Sequence, residues 1–165
     1  MSSLMIRGRQ LIRLSVFSSF CFLLASCFSD VRMGNAVVWR EGEGVCFAPS
    51  IGGGELPRLH AVQVYDISVS PAAAVWSFYF PVDGSHVAGV DCLAYGVLPL
   101  GAKDRGAARK LQQGHVYEVY INAKYSDPYS PVFGFSRRFC LKEGQADVVL
   151  INYDEKKGWD FSQCE

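Results

Sequence analysis

From Ala36 onward, Gly, Pro and Asp cut the chain into short apolar runs, and this punctuation constrains the fold more than any other feature. Ala36-Val37-Val38-Trp39 and Gly44-Val45-Cys46-Phe47-Ala48 flank Glu41-Gly42-Glu43-Gly44, which reads as a hairpin turn. Leu59 to Ser68 alternates, with Val62 and Val64 on one face and Gln63 and Tyr65 on the other. Ala73 to Phe80 is dense in Val and aromatics and suits a strand buried on both sides. Further strands are expected over Cys92–Val97, His115–Ala123, Val132–Cys140 and Ala146–Tyr153. In the third-last of these, Tyr117, Val119 and Ile121 share one face and Glu118, Tyr120 and Asn122 the other. Leu100–Gln113 alone has helical composition, but Gly101 and Gly106 weaken it to a loop with one helical turn at most. Seven or eight short strands and no long helix predict an antiparallel β-sandwich of the immunoglobulin or fibronectin type III kind. Leu111-Gln112-Gln113-Gly114-His115-Val116-Tyr117 resembles the tyrosine corner of such sandwiches, and Trp76 suits their core tryptophan.

The N-terminus is of another character. Arg7, Arg9 and Arg13, with no acid before Asp30, lead into the apolar run Leu14–Leu24, too short for a comfortable membrane span. Leu24-Ala25-Ser26-Cys27 follows and resembles a lipobox, in which a peptidase cuts before the cysteine and its thiol takes a diacylglycerol. Residues 1–26 are then a signal peptide, 27–35 a lipidated tether and 36–165 a single domain. Removing residues 1–26 from 165 leaves 139, enough for one domain with a core. Those 139 residues hold 13 basic and 16 acidic side chains, a net charge of about −3, with no basic cluster to suggest nucleic acid. The lipid is expected to be the only membrane anchor.

With Cys21 in the signal and Cys27 lipidated, Cys46, Cys92, Cys140 and Cys164 remain. Four cysteines in an oxidising compartment read as two disulfides, with three connectivities open. Cys46–Cys92 with Cys140–Cys164 is favoured, the second pair closing a loop of about 25 residues worth about 3 kcal/mol. No Cys-x-x-Cys occurs and no His stands at ligand spacing from a Cys, so neither zinc nor any other cofactor is expected.

Catalysis finds little support. His60, His86 and His115 are scattered, and neither a Gly-x-Ser-x-Gly elbow nor a His-Glu-x-x-His helix is present. Asp83-Gly84-Ser85-His86 reads as a turn, and Gly52-Gly53-Gly54 lacks the Lys of a phosphate loop. Binding is better supported, because 13% of the residues are aromatic. Tyr125, Tyr129 and Trp159 fall in turn-like sequence and are the candidate partner-binding residues, with Tyr65 and Tyr120 on outward faces. Tyr153–Phe161, held by Cys164, is a candidate recognition edge.

Together, the lipobox, Gly44-Val45-Cys46-Phe47, Val62-Gln63-Val64-Tyr65, Trp76-Ser77, Cys92 and Gly114-His115-Val116-Tyr117 resemble the type VI secretion immunity periplasmic lipoproteins of Gram-negative bacteria. In that family the usual cysteines correspond to Cys46 and Cys92, a further reason to pair them, whereas Cys140, Cys164 and the Leu100–Gln113 insert look like additions. The resemblance implies a periplasm-facing lipoprotein that binds and occludes a delivered protein toxin, without chemistry of its own. Phe28, rather than Asp, after Cys27 implies sorting to the outer membrane by the rule for enteric lipoproteins. The rival expectations are an envelope scaffold lipoprotein and an inhibitor of lysozyme-type enzymes.

Overall fold

The computed structural model describes residues 32–51, 56–81, 85–86, 92–127, 130, 132–142 and 147–164. The signal peptide, Cys27 and Tyr129 lie outside the described residues. Strands β1 (Arg32–Glu41) and β2 (Gly44–Pro49) form the expected hairpin, with Glu41 paired to Gly44 across the turn. They are followed by β3 (Arg58–Asp66), β4 (Ala73–Tyr79), β5 (Ser85–His86), β6 (Leu93–Ala94) and β7 (Lys103–Gly106). The chain continues through β8 (Val116–Lys124), β9 (Val132–Leu141), β10 (Val148–Ile151), β11 (Tyr153–Asp154) and β12 (Gly158–Trp159). The fold is all-β. Among the described residues the one helical segment is a 3-10 turn at Ser162–Cys164.

Ten of the strands form one sheet in the order β6-β2-β1-β9-β8-β3-β4-β7, with β10 also on β9 and β5 also on β3; β11 and β12 pair separately. The sheet is mixed, which corrects the all-antiparallel expectation. Arg32–Asn35 of β1 runs parallel to β9, whereas Ala36–Glu41 runs antiparallel to β2. A tight hairpin forces antiparallel pairing, but β1 and β9 are separated by most of the chain, so either direction was open to them. Arg32–Asn35 had no apolar periodicity and read as tether; its strand is held by pairing with β9, which its own sequence does not encode.

The sheet curls so that β2 faces β4 and β9. Phe47 on β2 is fully buried, 5.6 Å from Phe139 on β9 and 6.4 Å from Trp76 on β4, measured between ring centres. Val62, Val64, Val119 and Ile121 have no solvent exposure, so both expected alternations point inward as read. Trp76 is buried and also packs on Phe78 and Tyr95. A second, smaller cluster of Val116, Cys140, Ile151 and Cys164 lies on the opposite face of β8 and β9, because these residues alternate with the inward Tyr117 and Phe139. Disulfides join Cys46 to Cys92 and Cys140 to Cys164.

Leu100–Gln113 contains no helical turn; it forms edge strand β7 and then an extended loop. Two tyrosines hold that loop. Tyr95 Oη donates to Arg109 O at 2.7 Å, and Tyr117 Oη accepts the Gln112 N–H at 2.7 Å. Pairing with β4 and these two anchors satisfy the backbone without helix. Tyr117→Phe is therefore expected to cost about 1–2 kcal/mol by leaving the Gln112 N–H without its acceptor. Urea unfolding of the two proteins side by side measures it, and an unchanged midpoint would show that the hydroxyl carries no stability.

Candidate functional site: an aromatic and charged outer face

Side chains alternate along a strand, so residues flanking the buried Tyr117, Val119 and Ile121 of β8 must point outward. Glu118 and Tyr120 do so. On β3 the outward neighbours are Gln63 and Tyr65, and Tyr65 meets Tyr120 edge-on at 6.0 Å. These residues, with Ile67 and Ala72, line a shallow groove of about 400 Å³. Burial first, then the hydrogen bond and charge of Glu118, push the Tyr120 hydroxyl up to about 12, so it stays a neutral donor at physiological pH.

On β9, Arg138 stands directly opposite Glu118 in the register, and its Nε lies 3.2 Å from Glu118 Oε1. The same guanidinium lies 4.0 Å from the centre of the Trp159 ring. Arg138 is thus clamped between a carboxylate and an indole, each of which removes rotamer freedom that an exposed arginine would otherwise keep. Trp159 in turn meets Tyr153 edge-on at 5.1 Å across the β11–β12 pair. Beside them, Arg137 Nη2 donates to Asn152 Oδ1 at 2.5 Å. Asn35, Ser136, Arg137, Asn152, Tyr153 and Trp159 border a polar cleft of about 280 Å³. Glu118 borders both the groove and the cleft, so the two make one surface.

The β11–β12 segment reaches this face because the Cys140–Cys164 bridge fastens its far end to β9. Asp154 Oδ1 accepts the Lys156 and Lys157 N–H groups at 2.8 and 2.9 Å and so closes the hairpin turn from within. A chain segment with little apolar burial of its own is held in place by a covalent bond and a turn.

The expected site residues divide accordingly. Trp159 is exposed and belongs to this surface, as do the outward Tyr65 and Tyr120. Tyr125 stands apart, half-buried against Phe135 at 6.4 Å and packed on the core. Tyr153 and Trp159 both lie in the Tyr153–Phe161 segment expected as a recognition edge, whereas Arg138 and Glu118 escaped the sequence reading as site residues. The alternation on β8 marked Glu118 as outward, but its pairing with Arg138 depends on the β8–β9 register.

Among the described residues, the histidines form no such group. His60 is half-buried at the start of β3. His86 lies in β5, its side chain outside the described residues. His115 Nδ1 is 2.7 Å from Asp66 Oδ2, a pair that joins the end of β3 to the start of β8. Asp66 Oδ1 also accepts the Ser68 N–H, and Ser68 Oγ accepts the Val116 N–H at 2.6 Å, so this network satisfies backbone at a sheet corner. The Glu41 carboxylate and the sulfurs of Cys46 and Cys92 lie within 4.8 Å of one another. Those sulfurs are joined in a disulfide, which is a poor metal ligand compared with thiolate.

Burial raises the Tyr95 hydroxyl to about 12 and the Tyr117 hydroxyl above its usual 10.0, as it raises Tyr120. Each is harder to ionise folded than unfolded, so its contribution to stability is complete below pH 10.0 and is lost as pH rises above that, toward about 12 for Tyr95 and Tyr120. Stability to urea is expected to fall across that window, in step with phenolate absorbance. Unfolding that stays independent of pH through it would contradict the assignment.

A comparison with protein-family models, with curated proteins and with solved structures finds no match. Among the described residues, no helix is long and apolar enough to cross a membrane.

Proposed function

We propose that this protein is an immunity lipoprotein that neutralises a toxin delivered by type VI secretion, by covering the toxin's active site or substrate groove. In this reading Cys27 carries the lipid, and the domain faces the periplasm from the outer membrane. The observation that carries it is the outer face of β3, β8 and β9. There, Tyr120, Trp159 and Tyr153 are exposed while neighbouring rings and Arg138 hold their positions. Tyr, Trp and Arg are the residue types that dominate binding hot spots, and fixing them in advance reduces the entropy lost on association. Occlusion needs a rigid complementary surface and no reacting group.

We read the curled sheet as an immunoglobulin-like sandwich, with β1, β2 and β6 as one layer and β9, β8, β3 and β4 as the other. The packing of Phe47 on Trp76 and Phe139 supports this, as does the Tyr117 hydroxyl at Gln112. Such a sandwich holds its exposed strand faces as fixed platforms.

The test is capture of the partner by the oxidised, exported protein from its own strain, followed by the same measurement with Trp159→Ala. Recovery of a secreted effector with nanomolar affinity, weakened by about 30-fold or more in the variant, is expected. Recovery of resident envelope components alone would favour a scaffold instead.

A further inference from the structure

Residues 95–102 connect β6 to β7, and these strands are the two ends of the curled sheet. The connection therefore runs from one end strand of the sheet to the other. It does so through two successive turns. The Val97 N–H donates to Ala94 O at 3.1 Å, and the Ala102 N–H donates to Pro99 O at 3.0 Å. Gly96 and Gly101 take the left-handed third position of these turns, with φ of 79° and 83°, where a side chain would be strained. The turns hold the backbone of Val97-Leu98-Pro99-Leu100 in a defined shape and drive its apolar side chains outward. Val97 is 60% exposed, Leu98 46% and Leu100 100%. A wholly exposed leucine at the corner of a hydrogen-bonded turn finds no folding role within this chain.

Charge follows the same geography. Residues 97–113 carry Lys103, Arg105, Arg109 and Lys110 against the single acid Asp104. The remainder of residues 27–165 carries nine basic and fifteen acidic side chains. All four cations are exposed. Asp104 is turned back on its own strand, where Oδ1 accepts the Gly106 N–H at 2.8 Å. Arg105 lies over the Tyr79 ring at 4.3 Å, which keeps its charge at the sheet edge.

We propose that this apolar prong and its basic flank form an interfacial docking element for an anionic lipid bilayer. Short apolar side chains enter the boundary between headgroups and acyl chains, while lysine and arginine at headgroup level are drawn to anionic lipid. The excess negative charge elsewhere turns the rest of the domain away from the same surface. Because β4 stands between β7 and β3, the nearest strand of the aromatic outer face, docking here leaves that face free. The proposal is independent of toxin binding, and its test reads lipid contact alone.

The experiment measures backbone amide exchange over residues 97–106 of the protein as the cell exports it. Vesicles are of phosphatidylcholine alone, or of phosphatidylcholine mixed with phosphatidylglycerol. Any anchor at Cys27 is the same in both, so the comparison isolates the prong. Exchange is expected to slow about fivefold or more with the anionic vesicles only. High salt should abolish the effect, because it screens the basic flank. Leu100→Asp and the triple change Lys103→Glu, Arg105→Glu, Lys110→Glu should each abolish it with unaltered melting, since these side chains are exposed. Equal exchange with the two vesicle types overturns the proposal, as does slowing that salt and both variants leave intact. An acidic protein as the true occupant would produce the first of these contrary results.

Discussion

Phe47→Ala is expected to lower the unfolding free energy by about 4 kcal/mol. The ring has no solvent exposure and packs against Trp76 of β4, Phe139 of β9 and Tyr95 in the turn after β6. Truncation removes the apolar transfer term and leaves a cavity whose walls are strands fixed by their own ladders, so collapse is limited. Domains of this size are stable by about 5–15 kcal/mol, so the variant should sit close to its unfolding transition at ordinary temperature. Phe47→Leu keeps most of the volume and should cost about 1.5 kcal/mol or less. Urea unfolding of both variants in the oxidised state gives the comparison. A loss below about 1 kcal/mol for the alanine variant would mean that β2 does not close over β4 and β9.

The paired change Cys140→Ser, Cys164→Ser is expected to cost about 3 kcal/mol and to disable the outer face as well. The bridge spans 24 residues and secures the end of the segment that carries Tyr153 and Trp159. Residues 152–161 are mostly exposed, so little apolar burial would keep them in place once the bond is gone. Trp159 should leave Arg138, which changes its fluorescence, and trypsin should cut quickly at Lys156 and Lys157. Loss of the Arg138–Trp159 contact should also weaken partner binding about as much as Trp159→Ala. Wild-type protease resistance and unchanged tryptophan emission in the bridge-less protein would show that the segment holds itself.

The effects just described fall on features that the sequence revealed unequally. Val62/Val64 and Tyr117/Val119/Ile121 were legible because a period of two is imposed by one buried sheet face. The Glu41–Gly44 hairpin was legible because its turn chemistry is local. Tyr117 was legible for a related reason, since its partner Gln112 lies a few residues upstream. What escaped depends on which strand lies beside which. Arg32–Asn35 has no pattern of its own and becomes strand because β9 accepts it as a parallel neighbour. β7 is wholly exposed and charged, the composition of a loop, yet β4 offers it an edge. The outer face shows the same division. Trp159, Tyr65 and Tyr120 could be singled out by type and position, but the clamp on Arg138 needs the β8–β9 register and the Cys140–Cys164 bridge together.

Protection of its owner from a toxin, through the face built by Tyr120, Arg138 and Trp159, is the expected role of the chain. Contact competition between a strain lacking the chain and its own parent measures that protection. Parent cells are expected to kill the deletion strain on contact, and the wild-type chain to restore survival. The Arg138→Ala, Trp159→Ala double variant, exported at the same level, should not. A deletion strain that survives contact as well as its parent would rule out a protective role.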